Sequence, residues 1–176
     1  MKTKIIFLIF FSTITFSCIT RHQSKESIDL TKEWKFQKGD STEYSKPGYD
    51  DKWWKTIQTG NPWENQGFTD YDGVAWYRAN VVIPSSLRKS NSTLKSVRLS
   101  LGQIADSDVT YFNGKRIGRT NGRDAERIYI IPFDTISWDK ENVIAIRVNN
   151  RRGNGGMYAG ACSIDNTRLT DIVFLK

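Results

Sequence analysis

The sequence predicts an all-β protein, an antiparallel β-sandwich of about eight short strands. Two observations support this fold class: strand-like runs recur with turn residues between them, and helical periodicity is almost absent. The 176 residues suit a single domain. With 38% hydrophobic residues and six Trp, seven Tyr and nine Phe, the composition excludes a disordered chain.

The N-terminus predicts export. Residues 1–17 have the pattern of a signal peptide, in which Lys2 and Lys4 precede an apolar run over residues 5–11. Residues 15–18 resemble a bacterial lipoprotein cleavage site, with Cys18 as the lipidated first residue of the mature protein. An ordinary secretory peptide is the alternative. We therefore expect an exported, membrane-anchored lipoprotein that contacts the membrane through its lipid only, at the periplasmic face or the cell surface.

The mature chain divides into a polar tether at residues 18–27 and a domain at residues 28–176. Loss of residues 1–17 removes two lysines and no acid, so 24 basic and 19 acidic residues leave a net charge of +5. This mild excess on an exported protein argues against nucleic-acid binding. Cys162 is the other cysteine, and we expect it to be a small buried apolar residue rather than part of a disulfide.

The first predicted strands each have a physical reason. Residues 34–38 alternate apolar and polar side chains, and residues 74–83 form a long run that stops at Pro84, which cannot donate to a sheet ladder. Residues 97–101 alternate strictly, which predicts one buried and one solvated face. Short helical turns are expected at residues 50–54, capped by Asp50, and at residues 85–89.

The later strands begin with a hairpin. Residues 109–112 and 115–117 flank Asn113-Gly114, the dipeptide typical of a two-residue turn with positive φ at both positions. Residues 127–131, 142–148 and 169–175 complete the set.

The amino-acid composition gives little support for a catalytic function. The single histidine, His22, lies on the tether, which argues against a Ser/His/Asp triad. Asp106 and Asp108 share a strand face, but an Asp-x-Asp pair beside a strand is more typical of groups that hold backbone amides. Asp70 and Asp72 have the same spacing and the same interpretation. We therefore expect no catalytic residues.

Several segments in a fixed order resemble one family. They are similar to the sugar-binding jelly-roll domain of family-two glycoside hydrolases of the β-galactosidase type. The later ones are also similar to the galactose-binding-like domain of bacterial sialate O-acetylesterases. The resemblance implies a galactose-binding-like jelly-roll β-sandwich over residues 28–176. The segments are residues 61–68, 72–78, 99–102, 106–108, 112–118, 142–148 and 153–158.

In both families this domain accompanies a catalytic one, and no such part follows Lys176 in this sequence. We therefore expect a carbohydrate-binding module without its own catalytic residues, which holds either a glycan or a partner hydrolase that works on one. One alternative is a separated or truncated N-terminal part of a hydrolase that acts on glycosidic bonds or acetylated sugars. Another is a protein-interaction module. Such sandwiches commonly hold a structural Ca²⁺, but no spaced ligand set predicts one here, and no cofactor is expected.

Sugar binding needs an aromatic face for the pyranose ring and directed groups for its hydroxyls. Trp63, Asn65 and Tyr71 supply both on one predicted loop, unless Trp63 and Phe68 fold inward and close the sandwich. Asn150 and Arg151 lie before a glycine-rich segment that reaches toward the substrate in the glycosidases, unless that segment is only a turn.

Arg123 belongs to a basic group around the hairpin that would face acidic sugars or form a solvated sheet edge. The group comprises Lys115, Arg116, Arg119, Arg123 and Arg127. The remaining strand tryptophans, Trp34, Trp76 and Trp138, are expected in the core.

Overall fold

The computed structural model describes residues 26–89 and 95–166. The predicted signal peptide, the lipidation site at Cys18, His22 and the strand predicted at residues 169–175 lie outside these ranges. Within them, no helix is long and apolar enough to cross a lipid bilayer.

The described ranges contain eleven strands and four short 3-10 helices. The helices are Thr42–Ser45, Trp63–Gln66, Ser85–Lys89 and Phe133–Thr135. The strands are β1 (Ser27–Asp29), β2 (Glu33–Lys38), β3 (Lys55–Gln58), β4 (Gly73–Val82), β5 (Ser96–Ile104), β6 (Ser107–Phe112), β7 (Lys115–Asn121), β8 (Glu126–Pro132), β9 (Glu141–Asn150), β10 (Met157–Ala159) and β11 (Ser163–Asp165).

The strands form two antiparallel sheets, as predicted. One sheet has six strands in the order β3-β2-β4-β9-β6-β7. The other is built on β5, which pairs with β8 on one side and with β11 and β10 on the other, while β1 pairs with β11. The result is a jelly-roll-like β-sandwich. It has more strands than expected because β1, β3, β10 and β11 have only three or four residues, too few to show a period in the sequence.

The core lies between the inner faces of the two sheets. The alternation predicted for β5 is confirmed, since Val97, Leu99 and Leu101 are buried and Arg98 and Ser100 are less so. Burying each such aliphatic side chain contributes about 1.5–3 kcal/mol. The facing sheet contributes side chains that are equally buried, namely Phe36, Tyr77, Ile144, Ile146 and Val148.

The six-stranded sheet also carries a second apolar cluster on its outer face. Trp54, Trp76 and Ala145 form its buried part, Tyr44 packs edge-on against Trp54, and Tyr49 packs at a tilt against the same ring. Residues 39–54, which we call the covering segment, lie over this face. The centre of the sheet is therefore buried on both sides, which explains why β4 and β9 lack strict alternation.

Two arginines attach the covering segment to the sheet. Arg78 on β4 forms an ion pair with Asp51 at 2.7 Å and donates to the carbonyls of Tyr44 and Lys46. Arg147 on β9 binds both carboxylate oxygens of Asp40, at 2.8 and 2.6 Å. This bidentate pair holds the pKa of Asp40 below its ordinary value.

Most sequence predictions for individual elements are confirmed. Asn113 and Gly114 have φ values of 48° and 79°, as the predicted hairpin requires. Trp34 and Trp76 are buried, and Trp138 packs partly buried against the core. The expected turn at residues 85–89 is a 3-10 helix, whereas residues 50–54 form a turn in which the Asp50 carboxylate accepts from the Lys52 amide.

The basic residues near the hairpin separate into two groups. Lys115, Arg116 and Arg119 lie exposed on β7, the edge strand of its sheet, as the edge interpretation predicted. Arg127 is different, because its side chain is fully buried in an ion pair with Asp108. The prediction that Arg127 faces solvent or a ligand is wrong, since the buried Asp108 carboxylate is needed to compensate its charge.

Candidate functional site

The predicted sugar-binding residues converge on one end of the sandwich. The connection between β9 and β10, residues 151–156, lies between the Trp63–Gln66 helix on one side and the start of β6 on the other. We call these residues the glycine loop and the surrounding group the loop cluster. Its members besides the loop are Trp63, Glu64, Asn65, Tyr71, Asp72, Asp106, Arg123 and Asn150.

Arg123 holds the glycine loop from one side. Its Nη1 donates to the Asn154 carbonyl at 2.5 Å, and its Nη2 donates to the Arg152 carbonyl at 2.8 Å. A third hydrogen bond, at 3.1 Å, reaches the side-chain oxygen of Asn150. Three acceptors therefore occupy this guanidinium, and its observed role is to fix the loop conformation.

Asp106 supports the same loop from below. Its carboxylate accepts the Arg151 backbone amide at 2.7 Å and lies 3.6 Å from Nε of Arg123. The residue has a φ of 44°, a conformation that aspartate tolerates better than most side chains. The interpretation of Asp106 as a residue that holds backbone amides is confirmed.

The Trp63–Gln66 helix holds the far end of the loop. The Glu64 carboxylate accepts the Gly155 amide at 2.8 Å, and the Trp63 amide donates to the Gly155 carbonyl at 3.2 Å. Both contacts require Gly155 to lie close against the tryptophan ring, where only a residue without a Cβ fits.

Two predicted ligand contacts are corrected by burial. Trp63 is 0% exposed and packs against Phe36 and Tyr71, so both ring faces are occupied by protein rather than open to a sugar. The alternative, that Trp63 and Phe68 fold inward, describes the structure. Asn150 is 1% exposed, and its amide donates to Asp72 and to the Gly153 carbonyl. Its hydrogen-bonding groups serve the loop.

The other predicted contacts remain accessible to different degrees. The Arg151 side chain is 77% exposed, and Asn65 is exposed with its amide donating to Asn61. Tyr71 is half-buried, because its hydroxyl donates to the Val74 carbonyl at 2.5 Å and its ring lies under the Lys38 ammonium. Nε of Arg151 lies 3.7 Å from the Asp106 carboxylate, and the rest of its guanidinium is exposed. Arg151 and Asn65 therefore present exposed donors, and Arg152 and Asn154 join them at the loop tip.

Sequence reasoning missed the residues that shape this loop from outside it. Glu64 and Tyr158 were included only as members of longer segments, and Asp72 was interpreted as a turn residue. Tyr158 donates to the Arg123 carbonyl at 2.9 Å, and its ring lies 5.5 Å from the Arg123 guanidinium. Burial, aided by the nearby Asp124 carboxylate, raises the pKa of Tyr158, so the phenol stays a donor at neutral pH. Nothing in the spacing of these residues indicates that they meet.

Asp106 and Asp108 do not form a hydrolytic pair. Asp108 is fully buried, where it binds Arg127 at 3.0 Å and accepts from the hydroxyls of Tyr129 and Thr110. It is inaccessible to a glycosidic bond, which needs two carboxyl groups on either side of it. Across the described residues, no group of three or more His, Cys, Asp or Glu side chains is placed to hold a metal ion.

Comparison with known proteins supports the resemblance seen in the sequence. The chain is 24% identical over 153 residues to the β-galactosidase BoGH2A of Bacteroides ovatus, an alignment that covers 80% of this chain. It is 28% identical over 142 residues to a β-glucuronidase of Formosa agariphila, covering 69% of this chain. No protein-family model matches.

Solved structures show the same relationship in three dimensions. A β-glucuronidase of Bacteroides uniformis matches 80% of this chain with a TM-score of 0.68 and 26% identity. A β-glucuronidase from glycoside hydrolase family 2 matches the fold of 88% of the chain, with a TM-score of 0.69 and 19% identity.

The chain spans only a small part of these relatives. It covers 17% of the Bacteroides ovatus enzyme, 13% of the Formosa agariphila enzyme and 18% of the Bacteroides uniformis structure. In sequence and in fold, it is therefore similar to one all-β portion of family-two glycosidases, and its sandwich fits a sugar-binding domain.

Proposed function

We propose that this chain is an exported, lipid-anchored carbohydrate-binding module that holds a glycan at the loop cluster without cleaving it. The observation that carries the proposal is the glycine loop itself. Arg123, Asp106 and Glu64 fix its backbone from three directions, while the Arg151 guanidinium stays exposed. A loop fixed before binding loses little conformational entropy when a ligand binds, and this favours recognition.

Binding at such a site uses hydrogen bonds more than stacking. Arg151, Asn154 and Asn65 present donors to sugar hydroxyls or to a sugar carboxylate, while the partly exposed ring of Tyr71 offers limited apolar contact. A shallow site of this kind buries little of a ligand. We expect dissociation constants from about millimolar to micromolar.

A titration of the purified protein with oligosaccharides tests this proposal. Galactose-containing and glucuronate-containing oligosaccharides are the first probes, because the similar enzymes are β-galactosidases and β-glucuronidases. Arg151→Ala should weaken binding about tenfold or more, since a hydrogen bond to a charged group contributes about 1.5–3 kcal/mol. The matched control is Arg116→Ala, an exposed arginine at the opposite end of the β6–β7 hairpin.

Equal binding by Arg151→Ala and the wild type would remove the loop cluster as the site. Steady turnover of nitrophenyl β-galactoside, β-glucuronide or acetate by protein free of contaminating enzymes would contradict the non-catalytic role. Membrane anchoring has its own test, because Cys18→Ser should move the protein from the membrane fraction to the soluble one.

A second candidate function follows from the coverage of the relatives. The matched region is 17–18% of two similar glycosidases, so the chain also fits a separate or truncated part of a hydrolase, with the loop cluster facing a catalytic domain. Sequencing the gene on both sides of the coding region distinguishes the two. An in-frame hydrolase domain beside it would favour the second candidate.

A further inference from the structure

A groove of about 310 Å³ lies on the outer face of the six-stranded sheet, on a different part of the fold from the loop cluster. It runs between the covering segment and strands β2 and β3. Its polar lining consists of Glu33, Lys35, Asp51, Thr56, Arg78 and Asn80.

Strand pairing places three of these side chains in one row. Lys35 on β2 is paired with Thr56 on β3 and with Arg78 on β4, so the three residues lie side by side across the sheet. Residues paired across antiparallel strands have Cβ atoms about 4.5–5.5 Å apart. Three side chains that can donate hydrogen bonds therefore lie together along one stretch of the groove.

Arg78 lines the groove and has one nitrogen that donates to no described residue. Its side chain is 1% exposed, and its hydrogen bonds to Asp51, Tyr44 and Lys46 use only Nε and Nη1. Nη2 donates to none of the described residues. The guanidinium also lies 5.8 Å from the Tyr49 ring and 5.9 Å from the Trp54 ring, so its position is fixed. A ligand hydroxyl in the groove can therefore accept a charge-assisted hydrogen bond from Nη2.

The lining of the groove has two basic and two acidic side chains and therefore no net charge. Asp51 neutralises Arg78, and Lys35 and Glu33 bring one charge of each sign without an ion pair to a described residue. Such a lining offers both donors and acceptors but no net field. It therefore favours a neutral polyhydroxyl ligand over an anionic one.

Trp53 provides the apolar element of the same region. It lies in the turn between Asp51 and Thr56, both of which line the groove, and it is 85% exposed. Its neighbour Trp54 is buried in the outer-face cluster, so only one of the two rings is used by the fold. Trp53 is not part of the groove lining, and the Lys52 ammonium lies 5.6 Å from the centre of its ring. An aromatic ring together with a polar groove is the combination that a pyranose requires, and Trp53 is the exposed ring nearest to the groove along the chain.

We infer that this groove is a second carbohydrate site that takes a neutral pyranoside, with Trp53 stacking on the ring and Lys35, Thr56 and Arg78 bonding its hydroxyls. The ligand class rests on the proposed function, but the site is separate from the loop cluster. Two sites on one module would hold a polysaccharide more firmly than either alone.

The test is a titration followed by NMR, using the indole N–H signals of the full chain. The signal of Trp53 is assigned by its absence from Trp53→Ala. The probes are methyl β-glucoside and methyl β-glucuronide, which differ only at the sixth carbon. We expect the glucoside to shift the Trp53 signal and to bind more tightly than the glucuronide.

Variants separate this site from the loop cluster. Trp53→Ala and Lys35→Met should each weaken glucoside binding at the groove about tenfold, the usual loss for a residue central to binding. Lys115→Met, at the far hairpin, should leave it unchanged, and so should Arg151→Ala. Because Trp53 is exposed and Lys35 is only half-buried, both variants should keep the fold.

Three results would overturn the inference. One is a Trp53 signal that neither probe moves. Another is preference for the glucuronide, and the third is binding that Lys35→Met leaves intact. Loss of binding only in Arg151→Ala would keep the loop cluster and remove the groove, so the two proposals fail separately.

Discussion

Gly155 lies directly against the indole ring of Trp63, so close that a Cβ on Gly155 would be 2.1 Å from Cε2 of the ring. This contact joins the glycine loop to the Trp63–Gln66 helix. It explains why Trp63 is structural rather than a binding platform, since its ring supports the backbone of the loop that carries the exposed arginines. The glycine is required here for space and not for a positive φ.

Gly155→Ala should lower the free energy of unfolding by about 1–3 kcal/mol, because the new methyl group must displace the ring or the loop. Urea denaturation measures the change. Gly48→Ala is the matched control, since a Cβ there meets no atom within 4 Å and is expected to change stability by about 0.5 kcal/mol or less. Similar losses in both variants would contradict the close contact at Gly155.

The buried pair of Asp108 and Arg127 gives a second prediction. Asp108→Asn leaves the arginine charge buried without its carboxylate, at 0% exposure, and should cost about 3–5 kcal/mol of stability. Glu43→Gln removes the ion pair between Glu43 and Lys46, whose side chains are 58% and 62% exposed, respectively. This change should cost about 1 kcal/mol or less of stability. The two free energies of unfolding are measured under the same conditions, and an equal cost would argue against the buried network.

Asp40 should make stability depend on pH at the acidic end. The Arg147 guanidinium lowers the pKa of the folded Asp40 carboxyl below the ordinary value of 3.8. The stabilisation is therefore present above pH 3.8 and lost as the pH falls through the folded pKa. We expect the stability difference between wild type and Asp40→Asn to be constant from about pH 5 to 7 and to shrink below about pH 4.

Thermal unfolding at a series of pH values measures this difference. Asp70→Asn serves as the control, because Asp70 is exposed and makes no ion pair with a described residue. A difference for Asp40→Asn that grows on acidification would have the wrong sign and would reject the assignment.

Cys162 should be protected from alkylation in the folded protein. Burial raises its pKa to about 11, and the side chain is 1% exposed, so little thiolate exists at pH 8 and reagents cannot reach it. Iodoacetamide labelling followed by mass spectrometry of the Cys162 peptide tests this. Labelling should be fast in denaturant and slow without it, whereas equal rates would show that the core around Cys162 opens readily.

The sequence was most informative where a local pattern of side chains identifies a strand or a turn. The strict alternation of residues 97–101 predicts which side chains of β5 enter the core, and Asn113-Gly114 identifies the β6–β7 turn. Both signals are local, because strand geometry and turn geometry depend on neighbouring residues. The short strands β10 and β11 have no such signal, because three residues are too few to show an alternation. Their stabilisation comes from pairing with β5, which is distant in sequence.

The candidate site shows the opposite situation. Trp63, Asn150 and Arg151 were found from their chemical types, but their types do not reveal which of them is buried. Burial of Trp63 depends on Phe36 and Gly155, which are distant in sequence. The groove lined by Lys35, Thr56 and Arg78 was missed for the same reason, since these residues meet only through strand pairing.

The amino-acid order alone thus determined the fold class, the main strands and the polar loops in which a ligand site was sought. Only the tertiary structure decided which side chains of those loops face solvent and which support the backbone. The physical reason is that strand formation is encoded by the local alternation of side chains. Exposure, by contrast, depends on contacts between segments as far apart as Glu64 and Gly155.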